Sequence, residues 1–286
     1  MNDPRNVAEA ILARQSFIEL GARERACALL EPGSFRELAG PFDRLTSPWL
    51  AAQGIVTQAD DGVVIGKGVL AGRPTLVAAI EGAFQGGSMG EVSGAKIAGA
   101  LELAAADARA GKPIQALLLL ETGGVRLQEA NLGLAAIAEI HAAIVDLRRY
   151  APVIGVVAGT VGCFGGMSIA AGLCSYLVVT REARLGLNGP QVIEQEAGIE
   201  EYDSRDRPFI WSLTGGEQRY HSGFADRYSE DDVVQLRAHL QALFAAGIPA
   251  RHRSGRYQDY LQCLDAVDTS HQADAAQVRA AFNQGA

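Results

Sequence analysis

No two cysteines in this chain are spaced C-x-x-C. Cys27, Cys163, Cys174 and Cys263 stand far apart. That excludes a zinc ribbon and suggests four buried small hydrophobes. The N-terminus is polar and charged, so no secretory signal is read. Apolar runs are broken by glycine or end within a strand's length, so no membrane span is read either. A reducing cytoplasm is the expected compartment. Basic residues are not in excess. The formal net charge is −8, which argues against a surface built for nucleic acid. What remains is ordinary for a soluble protein with a sizeable core: 286 residues, 48% hydrophobic and 20% charged, enough for one large domain or two small ones.

Val7 to Leu30 mixes Arg and Glu with Ala, Leu and Ile and reads as helix, broken by Glu31 to Phe35. Val63 to Ile65 and Val69 to Leu70 read as strands around glycines. A turn is expected at Gly72-Arg73-Pro74 and a buried strand at Thr75 to Ile80. A pattern then repeats: apolar strand, glycine-rich turn, Ala-rich helix. The first unit is TLVAAIEGAF, QGGSMG and a helix from Glu91 to about Ala110. Ile97, Leu101, Ala104, Ala105 and Ala108 form its apolar face, and Gly111 and Pro113 stop it. The second is IQALLLL, ETGG and a helix to Arg149. The third is VIGVVAG, TVGCFGG and a short helix from Met167 to Ala171. Tyr176 to Thr180 reads as a further strand and Asp231 to Ala246 as an amphipathic helix. Ile193 to Tyr220 reads as a polar, loop-rich excursion. This alternation makes the fold class α/β, with a parallel sheet. The glycine turns should then share the carboxyl ends of the strands, where ligands bind.

Several motifs compete for the chemistry. Gly66-Lys67-Gly68-Val69-Leu70-Ala71 fits a dinucleotide fingerprint by letter, but no long helix follows it. Gly86-Gly87-Ser88-Met89-Gly90 fits the nucleophile elbow of serine hydrolases, between a strand and a helix. His221, His239 or His252 would be the partner base. Few strands precede the elbow, and Ser88 also reads as a helix cap. His141 lies on an apolar helix face and reads as a satisfied core histidine. The pairs Gly123-Gly124 and Gly165-Gly166 each follow a buried strand and open a helix. Backbone N–H groups there are unpaired and partly positive. With no Cβ in the way they could form an oxyanion hole. Tight helix–sheet packing would also select these glycines.

Five blocks, in order, carry a resemblance. ARERACALLEPGSF (Ala22 to Phe35), GVVIGKGVLAGRPTLVAAIEGAFQGGSMGEVSGAKIAGALELA, TGGVRLQEA, VGCFGGMSIAAG and LGLNGPQVIEQ resemble the carboxyltransferase N-domain of biotin-dependent carboxylases, over roughly residues 20 to 230. Within that family, GLNGPQVIEQEAGIEEYDSRDRPFIWSLTGGEQRY is similar to the β subunits of biotin-independent malonate decarboxylases. The chain has no zinc ribbon and no A-M-K-M biotin motif. It is about half the length of a fused propionyl-CoA-type enzyme, and its second glycine turn carries Cys163 and Phe164.

The resemblance implies a crotonase-like (ClpP/crotonase) ββα superhelix. It would span residues 1–250, with a C-terminal extension at 251–286. The implied reaction is decarboxylation of malonyl-S-acyl carrier protein to acetyl-S-acyl carrier protein and CO2, through an enolate held by backbone N–H groups. The alternative is a carboxyltransferase subunit of a biotin-dependent acyl-CoA carboxylase. A non-catalytic scaffold is a third reading. Gly123, Gly124, Gly165 and Gly166 would be the catalytic donors. Gly86, Gly87, Ser88, Met89, Gly90, Arg126, Gln128, Gly162, Cys163, Asn188, Gly189 and Pro190 would line the substrate path. No metal is expected. The only cofactor implied is a phosphopantetheine-type, dephospho-CoA-derived group on a partner acyl carrier subunit. The other partners implied are a homologous crotonase-fold γ subunit and an acyl-carrier malonate transferase subunit.

Overall fold

The computed structural model describes residues 13–49, 51–54, 62–270 and 273–283. One seven-stranded sheet organises the chain, with its strands in sequence order. They are β1 (Arg36–Ala39), β2 (Val63–Leu70), β3 (Arg73–Ile80), β4 (Gln115–Leu119), β5 (Val153–Val157), β6 (Tyr176–Thr180) and β7 (Arg227–Ser229). β1, β2 and β3 pair antiparallel, and β3 to β7 pair parallel. Parallel neighbours need crossovers, and helices supply them. α1 (Ala22–Leu29) precedes the sheet; α2 (Glu91–Arg109), α3 (Ala130–Leu147) and α4 (Gly166–Leu173) follow β3, β4 and β5.

Side chains alternate across the sheet, and both faces are buried. Leu118 and Leu120 join Ile97, Leu101, Ile137, Ile144 and Met167 under α2, α3 and α4. Leu117 and Leu119 face the other way. They meet Ala26 and Leu29 of α1 and Leu236, Leu240 and Phe244 of α8 (Val233–Ala246). Residues 127–147 are apolar and long enough to cross a bilayer by length and composition. Ile137, Ile140, Ile144 and Leu147 of that segment are instead packed in the core.

Beyond the sheet, the chain pairs a second time. Short parallel bridges join Met89 to Val125, Thr122 to Cys163 and Cys163 to Leu185. Each repeat is thus strand, short strand, helix.

Several expectations change. The helix expected from Val7 is confined to Ala22–Leu29 within the described residues, and Val7 to Leu12 lie outside them. Asp231 holds the preceding segment in turns: it accepts the Phe17 and Ile18 N–H groups at 2.7 and 3.0 Å. β2 runs unbroken through Gly66 and Gly68, which leave room for the Phe35 ring and Leu30. The turn falls at Ala71-Gly72, and Arg73 already pairs with Leu70. The expected loop at 193–220 holds α5 (Pro190–Ala197), α6 (Arg207–Thr214) and α7 (Gly216–His221). Asp206 caps α6, accepting the Phe209 N–H at 3.0 Å. After residue 250 come α9 (Tyr257–Asp265) and α10 (Ala275–Asn283). Phe282 of α10 and Tyr260 of α9 both pack on Phe224.

Candidate active site

The glycine turns stand side by side at the carboxyl ends of β3, β4 and β5. Backbone bonds lock each to the next. The Gly123 N–H donates to the Gly86 carbonyl and the Met89 N–H to the Gly124 carbonyl, both at 2.8 Å. The Phe164 N–H donates to the Thr122 carbonyl at 3.0 Å, and the Gly165 N–H to the Leu187 carbonyl at 2.7 Å. Gly124 and Gly165 touch: a Cβ on Gly124 would lie 3.3 Å from the Phe164 carbonyl oxygen and 3.4 Å from the Gly165 Cα. Their φ angles are +108° and +60°, a region where side chains are strained.

These bonds divide the expected donors. Gly123 and Gly165 shape the turns, because their N–H groups are already committed. The Gly124 N–H turns back to Thr122 Oγ1 at 3.1 Å. Among the described residues, the N–H groups of Val125, Gly166 and Met167 have no acceptor. Gly166 and Met167 open α4, where the helix itself supplies no carbonyl. His141 Nε2 donates to the Gly166 carbonyl at 2.7 Å and steadies that turn, so this histidine is satisfied as expected.

A buried ion pair staples the first turn to the second. Arg126 Nη1 meets Glu129 Oε1 at 2.9 Å, and Arg126 Nη2 donates to the Ser88 carbonyl at 3.0 Å. Glu129 Oε2 accepts the Glu91 N–H at 2.7 Å, at the start of α2. The Arg126 guanidinium also lies over the Phe84 ring. Arg126 therefore holds the turns and offers no group to a ligand path.

A cavity of about 480 Å³ opens here, lined by Gln85, Gly86, Ser88, Gly123, Val125, Leu127 and Gln128. It gathers four expected residues: Gly86, Ser88, Gly123 and Gln128. Gly87, Met89, Gly90, Gly162 and Cys163 are buried behind it and do not line it. Met89 and Cys163 belong to the core. Burial pushes the Cys163 thiol far above the ordinary range, so it carries no thiolate. Asn188, Gly189 and Pro190 open α5 outside this cavity. Gln85, Val125 and Leu127 went unread in the sequence, since a backbone N–H or a cavity wall leaves no mark on residue type.

A larger cleft, about 870 Å³, lies elsewhere, between Thr160, Arg184, Arg207 and Trp211. It contains none of the uncommitted N–H groups, so the smaller cavity is the better candidate. Among the described residues, no group of three His, Cys, Asp or Glu is placed to hold a metal.

The nucleophile-elbow reading fails on geometry. Ser88 Oγ accepts from Arg126 Nε at 3.4 Å and meets no histidine among the described residues. Ser88→Ala should therefore change turnover by less than ~10-fold, whereas losing a true nucleophile costs many orders of magnitude. Steady-state kinetics of the variant check this.

A parallel sheet whose repeats pass through a second short ladder into a helix, with uncommitted N–H groups at the join, defines a crotonase-like fold. The chain belongs to the carboxyl transferase domain family, which matches residues 18–279. It is 40% identical over 236 residues to the malonyl-S-ACP:biotin-protein carboxyltransferase of Malonomonas rubra, covering 79% of this chain and 74% of the relative. It is 71% identical to a chain of a Pseudomonas malonate decarboxylase hetero-tetramer solved in complex with malonate, with a TM-score of 0.90 over 96% of this chain and 99% of that one. A chain of a Pseudomonas malonate decarboxylase hetero-dimer gives 64% identity and a TM-score of 0.76, over 89% and 98%.

Proposed function

We propose that this chain is the β-type subunit of a malonate decarboxylase and acts on a malonyl thioester carried by an acyl carrier protein. The observation that carries the reading is the set of uncommitted N–H groups at Val125, Gly166 and Met167 on two glycine turns in contact, with Val125 on the wall of a cavity. In the reaction, the bond between the methylene and the carboxylate carbon breaks. Its electron pair forms the enolate of the acetyl thioester, and CO2 leaves. A proton then adds to the methylene carbon. The barrier lies in the charge that gathers on the thioester oxygen. Fixed N–H donors that bind this oxygen more tightly as it charges lower that barrier.

The rest of the reading is what the family resemblance implies. A phosphopantetheine-type arm on the carrier would present the malonyl group. A homologous γ subunit would close the site, and a transferase subunit would reload the carrier. The similar solved chains come from a hetero-tetramer and a hetero-dimer, which supports a partner subunit for this chain. Such a complex belongs in the cytoplasm.

The Malonomonas relative favours a second reading, in which CO2 passes to biotin on a carrier protein. The assembled complex, supplied with malonyl carrier and no biotin protein, separates the two. Release of CO2 with acetyl carrier, insensitive to avidin, is the expected result. Dependence on a biotinylated protein would transfer the assignment to the second reading.

A further inference from the structure

A separate pocket of about 240 Å³ opens between α4, the loop after β6 and α7; Ser168, Gly186, Leu187 and Arg219 are among its walls. It shares a wall with the second glycine turn. Leu187 is the residue whose carbonyl takes the Gly165 N–H, and the Ser168 hydroxyl donates to the Gly165 carbonyl at 2.8 Å. Two arginines reach this pocket, and they differ. Arg253 is fully engaged: it pairs with Asp226 and donates to the Gly172 and Cys174 carbonyls, both at 3.2 Å.

Arg219 has no such partners. Its Nε donates to the Leu185 carbonyl at 2.8 Å, and its guanidinium lies over the Phe224 ring at 5.6 Å. Among the described residues no acid pairs with it, and neither Nη atom has an acceptor. The side chain is half-buried, and burial lowers its pKa from the ordinary arginine value, with no acid beside it among the described residues. Arginine does not give up its proton in a protein, so a charge in this state is stabilised by an arriving anion. With Nε engaged, the edge left open is the pair of Nη groups, which matches a planar carboxylate.

We infer that Arg219 binds the free carboxylate of the malonyl group. The inference rests on the malonyl-thioester reading above. It sets the substrate's direction, with the carboxylate toward the second glycine turn and the thioester toward the cavity at Gly123. The carboxylate lies two bonds from the thioester carbon, so its pocket must adjoin one of the glycine turns; this one touches the second turn through Leu187 and Ser168. A phosphate at the far end of a pantetheine arm has no such constraint. Arg219 holds a charge that the reaction removes, so it acts on substrate binding more than on the barrier.

The test uses the full chain assembled with its co-expressed partner, titrated with malonyl- and acetyl-phosphopantetheine. Both ligands carry the phosphate, but only one carries the carboxylate. Arg219→Met should weaken malonyl binding by ~10-fold or more, the loss of a charge-assisted hydrogen bond, and leave acetyl binding unchanged. KM for malonyl carrier should rise more than kcat falls. Unchanged malonyl affinity overturns the inference. Equal weakening of both ligands also overturns it and points to the arm's phosphate. Thermal melts accompany each variant. If the Met variant does not fold, Arg219→Lys carries the comparison: it keeps the charge without the two-pronged edge and should lose several-fold in malonyl affinity alone. A wild-type complex that binds neither thioester would refute the malonyl-thioester reading itself, independently of any variant.

Discussion

Glu121→Gln should destabilise the chain by ~3–5 kcal/mol, the usual cost of leaving one partner of a buried ion pair without the other. Glu121 and Arg25 are both buried and joined by Arg25 Nη1 and Glu121 Oε2. The same guanidinium donates to the Phe17 carbonyl at 3.1 Å and the Ile18 carbonyl at 2.6 Å. It thus ties the N-terminal segment and α1 to the residue that directly precedes Thr122-Gly123-Gly124. Glutamine retains an oxygen but not the charge, and Arg25 cannot lose its own. Against a typical total stability of ~5–15 kcal/mol, this loss is large. Arg25→Met with Glu121→Leu should recover much of it, because an apolar pair removes both charges at once. Denaturant unfolding of Glu121→Gln measures the loss, and Arg25→Met and Glu121→Leu, singly and together, complete the cycle. A single variant within ~1 kcal/mol of wild type would show that the pair does not anchor the turn.

The second large effect is on turnover. Replacing Val125 by its α-hydroxy analogue converts the Gly124–Val125 amide to an ester. The side chain stays and the N–H is lost. In the assembled complex kcat should fall by roughly 10²–10³-fold, as when one oxyanion donor is removed. The ester carbonyl of Gly124 is also a poorer acceptor for the Met89 N–H, which donates to it at 2.8 Å. A stability loss of about 1 kcal/mol should accompany the change. The same exchange at Gly123 is the control. Its N–H serves the Gly86 carbonyl, so stability should drop while turnover per folded molecule is nearly kept. Single-turnover CO2 release and a thermal melt read both quantities. Equal kcat in the two esters would remove the oxyanion role of Val125. Gly124→Ala is a harsher probe, because φ at Gly124 is +108° and a Cβ would press on the Phe164 carbonyl. It should cost stability and turnover together.

The repeat was legible because each of its signals is local. Tyr176–Thr180 is the strand expected, and Thr75 to Ile80 lies within β3. Buried parallel strands are short continuous apolar runs between breakers, and the sequence is written that way. The α2 start at Glu91 is likewise marked by an acid in the first turn and by Ser93, whose hydroxyl accepts the Gly90 N–H at 2.8 Å. The errors fell where distant residues decide. Ser16 to Ile18 lie within the helical pattern read over Val7 to Leu30 but are held in turns by Asp231. Gly66 and Gly68 look like a break between two strands and are strand because Phe35 and Leu30 need their space. Residues 193–220 look polar, yet short capped helices need only one apolar stripe each.

The sequence by itself determined the α/β class, the glycine pairs at the strand ends and the family resemblance. Each is carried by residue type and spacing along the chain. Tertiary structure alone decided which N–H groups are free. Gly123 and Gly165 lost theirs to the carbonyls of Gly86 and Leu187, while Val125, Gly166 and Met167 kept theirs. It also decided that Arg126 is a staple and that Arg219 has no acid beside it among the described residues. The physical reason is common to all of these. A donor's availability is set by which acceptors lie within about 3 Å of it, and those acceptors come from other repeats of the chain.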